Sequence, residues 1–165
     1  MSILRRGHEA VIEHGSITAK FICDRGVSHE IVRHRLAAYC QESTRYCNYS
    51  KEKHGSQITF VKPSFWNEGD AIYDEWKQAM AHDEQVYLSL IAAGASPQEA
   101  RSVLPNSVKT EVIMTANPRE WRHFFKMRTP PSAHPDMRYV ANMLLAEYQE
   151  TYPILFDDIE VYNLT

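Results

Sequence analysis

Val108, Thr110, Val112 and Met114 alternate with Lys109, Glu111, Ile113 and Thr115, and Asn117-Pro118 follows almost at once. A period of two predicts a strand with one face on a core. Asparagine before proline is a helix start, because the amide side chain caps and proline suits the first turn. A strand running straight into a capped helix requires a fold that packs sheet against helix. Other segments agree. Ile17, Ala19 and Phe21 alternate with Thr18 and Lys20, a second strand, and residues 58–61 form a short strand candidate closed by Pro63. Ile72, Trp76, Ala79, Met80, Val86, Tyr87, Leu90 and Ile91 follow helical spacing up to a stop at Gly94. Ser96-Pro97-Gln98-Glu99 has the pattern of a capping box and opens a short helix ending near Leu104-Pro105. The helix opened at Asn117 runs through Met127 and is broken by Pro130-Pro131. A last helix spans about residues 135–149, with Met137, Val140, Ala141, Leu144, Leu145 and Tyr148 facing inward. Residues 7–14 suggest a short helix. Ser28 is a good cap for a helix beginning near His29 and carrying Ile31, Val32, Leu36 and Ala37, and residues 40–50 read as a structured loop. The expectation is α+β: helix-rich, with few strands.

At 165 residues and 44% apolar, the chain suits one domain and can bury a core. Its net charge of -3 argues against a general nucleic-acid or membrane-surface binder, which is usually basic. The positive charge is local, between Arg25 and Arg45, which suits a small anionic ligand. Cys23, Cys40 and Cys47 form neither a disulfide framework nor a C-x-x-C pair. No apolar run has the length of a membrane span and no apolar signal core stands at the N-terminus, so the expected location is the cytoplasm.

The densest chemistry lies at Arg33-His34-Arg35, followed after seven residues by Ser43-Thr44-Arg45-Tyr46. If the triplet is helical, successive side chains point about 100° apart. They then serve two ligands, or one ligand and a neighbouring subunit. Two hydroxyls and a guanidinium at 43–45 suit a phosphate monoester, since arginine binds phosphate through two N–H groups. By spacing alone, a solvated helix end followed by a polar loop explains the run at least as well.

The run RHRLAAYCQESTRY at 33–46 resembles the signature of the flavin-dependent thymidylate synthases. GHEAVIEH at 7–14 resembles that family's segment before its first core strand, and NPREWRHFFKMR at 117–128 and AHPDMR at 133–138 resemble its C-terminal half. Order and spacing agree across about residues 7–145. The resemblance implies an α+β fold over residues 1–165 as a single domain with a small, mainly antiparallel sheet. It implies an FAD site formed by His8, Ala10, Arg33, His34, Arg35, Gln41, Lys126, Arg128 and Ser132. The dUMP site would comprise Glu30, Arg33, Gln41, Glu42, Ser43, Thr44, Arg45 and Arg138. Arg138 matches the family arginine that activates the uracil ring. The implied reaction methylates dUMP to dTMP with methylenetetrahydrofolate as carbon donor, FAD as mediator and NADPH or NADH as reductant, in a homotetramer with shared active sites.

The resemblance begins almost at the start of the chain, so the family's opening strand and helix are expected to be missing. A module that binds FAD or nucleotide without turnover is therefore the alternative. Ala10 stands where a hydroxyl residue often meets FAD, Gln41 replaces an often acidic residue, and Glu111 sits where some members have arginine. Ser43 reads as a binding group rather than a nucleophile, for want of a nearby base. No metal is expected: His29-Glu30 is followed by His34 one residue too late for two rings on one helix face. His54, His82 and His123 read as isolated surface or packing residues. Trp66, Trp76 and Trp121 read as core or interface.

Overall fold

The computed structural model describes residues 2–49 and 57–162. His54 lies outside them, as does the final residue of the loop expected at 40–50. Among the described residues three strands, β1 (Ile17–Asp24), β2 (Ala37–Gln41) and β3 (Lys109–Ala116), form an antiparallel sheet in the order β1-β3-β2. Among the described residues seven helices accompany it: α1 (Ser2–Arg5), α2 (Arg25–Ile31), α3 (Ala71–Ala92), α4 (Pro97–Ala100), α5 (Pro118–Arg128), α6 (Pro135–Thr151) and α7 (Pro153–Phe156). Turns of 3-10 helix occupy Glu9–Ile12 and Arg101–Val103. The α+β, helix-rich expectation holds.

The strand alternation is realised. Val108, Thr110, Val112, Met114 and Ala116 are buried, as are Ala19, Phe21 and Cys23 on β1. Helix ends follow local chemistry. The Asn117 side chain accepts from the Glu120 amide at 2.9 Å, and the Ser96–Glu99 capping box is complete. Gly94 adopts φ +98°, which L-residues avoid, and the Ala95 and Gly94 amides then close on the Leu90 and Ile91 carbonyls, each at 3.0 Å.

The described residues fall into two compact units. The first comprises Met1–Phe21, His29–Cys40 and Ile113–Thr165. Its core is aromatic: Trp121 and Phe125 stack at 5.9 Å, and Phe21, Phe124, Tyr148 and Phe156 surround them in tilted and edge-on contacts. Arg122 is only 2% exposed within this unit. Its guanidinium donates to both Asp158 oxygens, to Glu9 and to the Leu155 carbonyl, which satisfies a charge that would be costly to bury alone. The second unit comprises Ile22–Ser28 and Gln41–Val112. Its core joins Tyr49, Ile58, Tyr87, Ala100 and Val108.

Several local expectations fail for reasons the sequence does not display. The helix expected from His29 starts at Arg25, because the Asp24 carboxylate accepts from the Val27 amide at 2.7 Å and is the true cap. Ser28 lies inside the helix and bonds back to the Arg25 carbonyl. The helix also ends early, at Ile31, so Leu36 and Ala37 are not on it. Leu36 is 76% exposed, and Ala37 begins a strand that takes in Cys40 and Gln41 of the expected loop. At 58–61 a single bridge between Phe60 and Val108 replaces a strand. On α3, Ile72 and Ala79 face outward, and Met80 and Tyr87 are the buried positions.

Candidate functional site

The Arg33-His34-Arg35 triplet lies on the turn between α2 and β2 rather than on a helix. Two side chains hold the turn. Tyr39, on β2, places its hydroxyl 2.6 Å from the His34 carbonyl and 3.0 Å from the Ile31 carbonyl, sharing one proton between them. Burial, with help from the Glu120 charge, pushes this phenol up to about 12, so it stays a donor. Arg128, at the end of α5, donates through Nη2 to the Glu30 carbonyl and through Nη1 to the Glu30 carboxylate. Exposed carbonyls at the end of a short helix thus receive a hydroxyl and a cation, as the helix dipole favours.

The turn projects its three side chains differently. His34 is buried, 5% exposed, while Arg33 and Arg35 are exposed, and neither guanidinium has a carboxylate partner among the described residues. His34 Nδ1 lies 3.2 Å from Glu120 Oε1, and Arg128 Nε donates to His34 Nε2 at 3.1 Å. Desolvation holds the imidazole below its ordinary pKa against the raising effect of its Glu120 bond, and the charges of Arg128 and His123 push in the same direction as desolvation. Arg33, His34, Arg35, Leu36, His123, Met127 and Arg128 line an open cleft of about 420 Å³, floored by Glu120. A second cleft of about 530 Å³ shares Leu36, Glu120 and His123 with it and continues to Glu9 and Lys126.

Within the first unit, the structure thus brings Glu30, Arg33, His34, Arg35 and Arg128 together. Lys126, one turn of α5 away from His123, bonds Glu9 at 3.3 Å. His8 and Ala10 are exposed at the 3-10 turn that carries Glu9, and Ser132 is exposed between α5 and α6. Arg138 sits half-buried near the start of α6, and its buried Nε finds no acceptor among the described residues. In the second unit, Gln41 donates to Ser28 Oγ at 2.8 Å and to Thr110 Oγ1 at 3.3 Å. Glu42 is held by Lys109 and by the Cys47 thiol. Thr44 is buried and accepts from Arg101. Ser43 and Arg45 keep more freedom: the Ser43 hydroxyl accepts from the Arg45 amide, and the exposed Arg45 guanidinium lies over the Tyr46 ring without a carboxylate partner among the described residues.

His34, Glu120 and His123 place potential metal-binding atoms within 4.8 Å of one another. Both ring nitrogens of His34 are already engaged, and the Arg128 cation stands beside them, so the group is better suited to hydrogen bonding than to a cation. Glu120 and Tyr39 escaped sequence reasoning. Glu120 sits three residues after Asn117, where it reads as an ordinary capping residue. His123, read as isolated, in fact meets the His34 ring edge-on at 5.6 Å.

A family model described as "Thymidylate synthase complementing protein" matches residues 1–154. The chain belongs to this family. Proteins named flavin-dependent thymidylate synthase are similar to it over most of its length. That of Pyrococcus furiosus is 38% identical over 146 residues, covering 88% of this chain and 59% of the relative. That of Pyrococcus abyssi is 36% identical over 157 residues, covering 93% and 64%, and that of Geobacter sulfurreducens is 33% identical over 157 residues, covering 94% and 66%. The chain therefore spans about three fifths of the length of the archaeal relatives. Among the described residues no helix is long and apolar enough to cross a membrane.

Proposed function

We propose that this chain forms part or all of an FAD-dependent thymidylate synthase. It would convert dUMP to dTMP with methylenetetrahydrofolate as carbon donor and NADPH or NADH as reductant. The observation that supports this most directly is the cleft around His34, where two unpaired arginines and a partly committed third surround a buried imidazole in a chain of this family.

The residues fit a flavin dinucleotide. Arg33 and Arg35 offer uncommitted guanidinium groups for a pyrophosphate, and the exposed side chains of Leu36 and Met127 offer apolar surface to a planar ring. Arg128 has used three of its five N–H donors on His34 and Glu30, leaving two for a ligand. Lys126, His8, Ala10 and Ser132 would border the same site from α5, the 3-10 turn and the α5–α6 connection. When bound, FAD would supply the two-electron chemistry that turns a transferred methylene into a methyl group.

For dUMP, Ser43 and Arg45 are proposed to hold the phosphate, with Gln41, Glu42 and Thr44 shaping the loop behind them through their own internal bonds. Glu30, near the end of α2, and Arg33, on the turn that follows it, are proposed to contact the nucleotide as well. Arg138 would place a fixed positive charge beside the uracil ring, stabilising negative charge that develops on it as C5 becomes nucleophilic. Its unsatisfied buried Nε supports a ligand-facing role. A homotetramer with active sites shared between copies is part of the same proposal. It is supported by exposed apolar residues such as Leu36, Tyr46, Ile22 and Met143.

Purified protein should carry FAD, visible as flavin absorbance, and should release tritium from 5-tritiated dUMP with methylenetetrahydrofolate and NADPH. Flavin without tritium release would reduce the reading to a binding module. Absence of both would overturn it.

A further inference from the structure

Arg128 Nε always carries a hydrogen, so the contact at 3.1 Å makes His34 Nε2 the acceptor. The proton of the neutral imidazole must then sit on Nδ1, where Glu120 Oε1 receives it at 3.2 Å. Free histidine has no such fixed assignment. Here a carboxylate on one side and a guanidinium on the other select a single tautomer, and the chain runs on from Arg128 to Glu30.

Glu120 departs from the local norm in making this bond. It occupies the third helical position after the Asn117 cap, from which a glutamate ordinarily turns back to the cap's own amide, as Glu99 does at Ser96. Glu120 leaves that role, is 6% exposed, and points at His34 instead. The Asn117 side chain caps the helix without it. Ordinary helix capping therefore does not account for a buried carboxylate at this position.

We propose that Glu120 is a positioning residue: by fixing His34 as the Nδ1–H tautomer, it aims the Nε2 lone pair at Arg128 and locks that guanidinium in the orientation it needs to receive an anionic ligand. The ligand part of this inference rests on the flavin reading of the cleft; the tautomer part does not. If Glu120 is replaced by a side chain that cannot accept, His34 is free to carry its proton on Nε2, where it opposes the Arg128 N–H. Arg128 then loses one of its three anchors. Glutamine, whose carbonyl oxygen accepts in the same place, should preserve the arrangement.

The test reads the tautomer and the ligand separately. Long-range proton–nitrogen correlation spectra of the uniformly 15N-labelled chain, with the His34 signal identified by its loss in His34→Gln, should show a protonated Nδ1 and an unprotonated Nε2 in the wild type. Glu120→Leu should shift the proton towards Nε2 and weaken FAD binding, measured by flavin fluorescence titration, by about tenfold, whereas Glu120→Gln should keep the Nδ1–H form and stay within about threefold. A wild-type Nε2–H tautomer would overturn the inference, and this measurement does not depend on any Glu120 variant folding. So would a Glu120→Leu protein with unchanged tautomer and affinity, or a Glu120→Gln protein as impaired as the leucine variant. If the wild type binds no FAD at all, the flavin reading fails, and the tautomer spectra still decide the role of Glu120.

Discussion

Burying an imidazole between a carboxylate and two cationic or proton-bearing neighbours has a thermodynamic consequence. The folded-state pKa of His34 lies below the unfolded value, so the unfolded chain takes up a proton that the native one refuses. Stability from this group is complete above about pH 6.5 and declines as the pH falls from there towards the depressed folded value. The groups around it are Glu120 and His123 on α5, and Arg128 at its end with Glu30 behind; all of them belong to one unit. Urea unfolding between pH 7.5 and 5.5 should show stability dropping in the wild type, with a shallower drop in His34→Gln. The thiols separate in a similar way. Burial drives Cys23 up to about 12, whereas Cys40 is exposed. Iodoacetamide at neutral pH should modify Cys40 in the native protein and Cys23 only after unfolding, as mass spectrometry of digested samples would show. That contrast agrees with Cys23 being a packing residue, as its alternation on β1 suggests.

At the scale of elements, α5 carries most of the burden in its unit. One face presents Trp121, Phe124 and Phe125 to the aromatic core, another sends Glu120, His123 and Arg128 to the cleft, and Arg122 ties the helix to the C-terminal segment. Hydrogen bonds from Arg122 hold the Asp158 carboxyl below its usual range. Removing the arginine leaves Glu9 and Asp158 without their shared cation and opens a buried hole. Arg122→Ala should therefore cost about 3 kcal/mol, read as a lower urea midpoint. Asn117→Ala removes only a cap and should cost about 1 kcal/mol in the same assay. A reversed order would mean that the helix is held by its start rather than by the Arg122 clamp.

For the whole molecule, the proposed division of labour is between α6, which carries Arg138, and the turn and helix end that carry Arg33, Arg35 and Arg128. Arg138→Ala should leave FAD affinity close to wild type and abolish dTMP formation, because its proposed contact is with the nucleotide base. Flavin titration and product chromatography on the same preparation would check this. A fully active variant would remove Arg138 from the proposed site, and a flavin-free one would reassign it to cofactor binding.

Amino-acid order alone determined most of the elements. Alternation fixed β1 and β3, capping residues fixed the starts of α4 and α5, Gly94 fixed the end of α3, and the motifs at 33–46 and 117–138 pointed to the family. These signals are local, set by backbone periodicity and by side chains bonding to amides a few residues away. Tertiary structure decided where α2 ends, that Ala37–Gln41 is a strand, and that Glu120 serves His34 rather than its own helix. Each of those outcomes depends on a partner distant in sequence: Arg128 on the Glu30 carbonyl of α2, β3 beside β2, and His34 opposite Glu120. Such partners leave no period in the chain, because a hydrogen bond closed across some ninety residues places no constraint on the spacing of its neighbours.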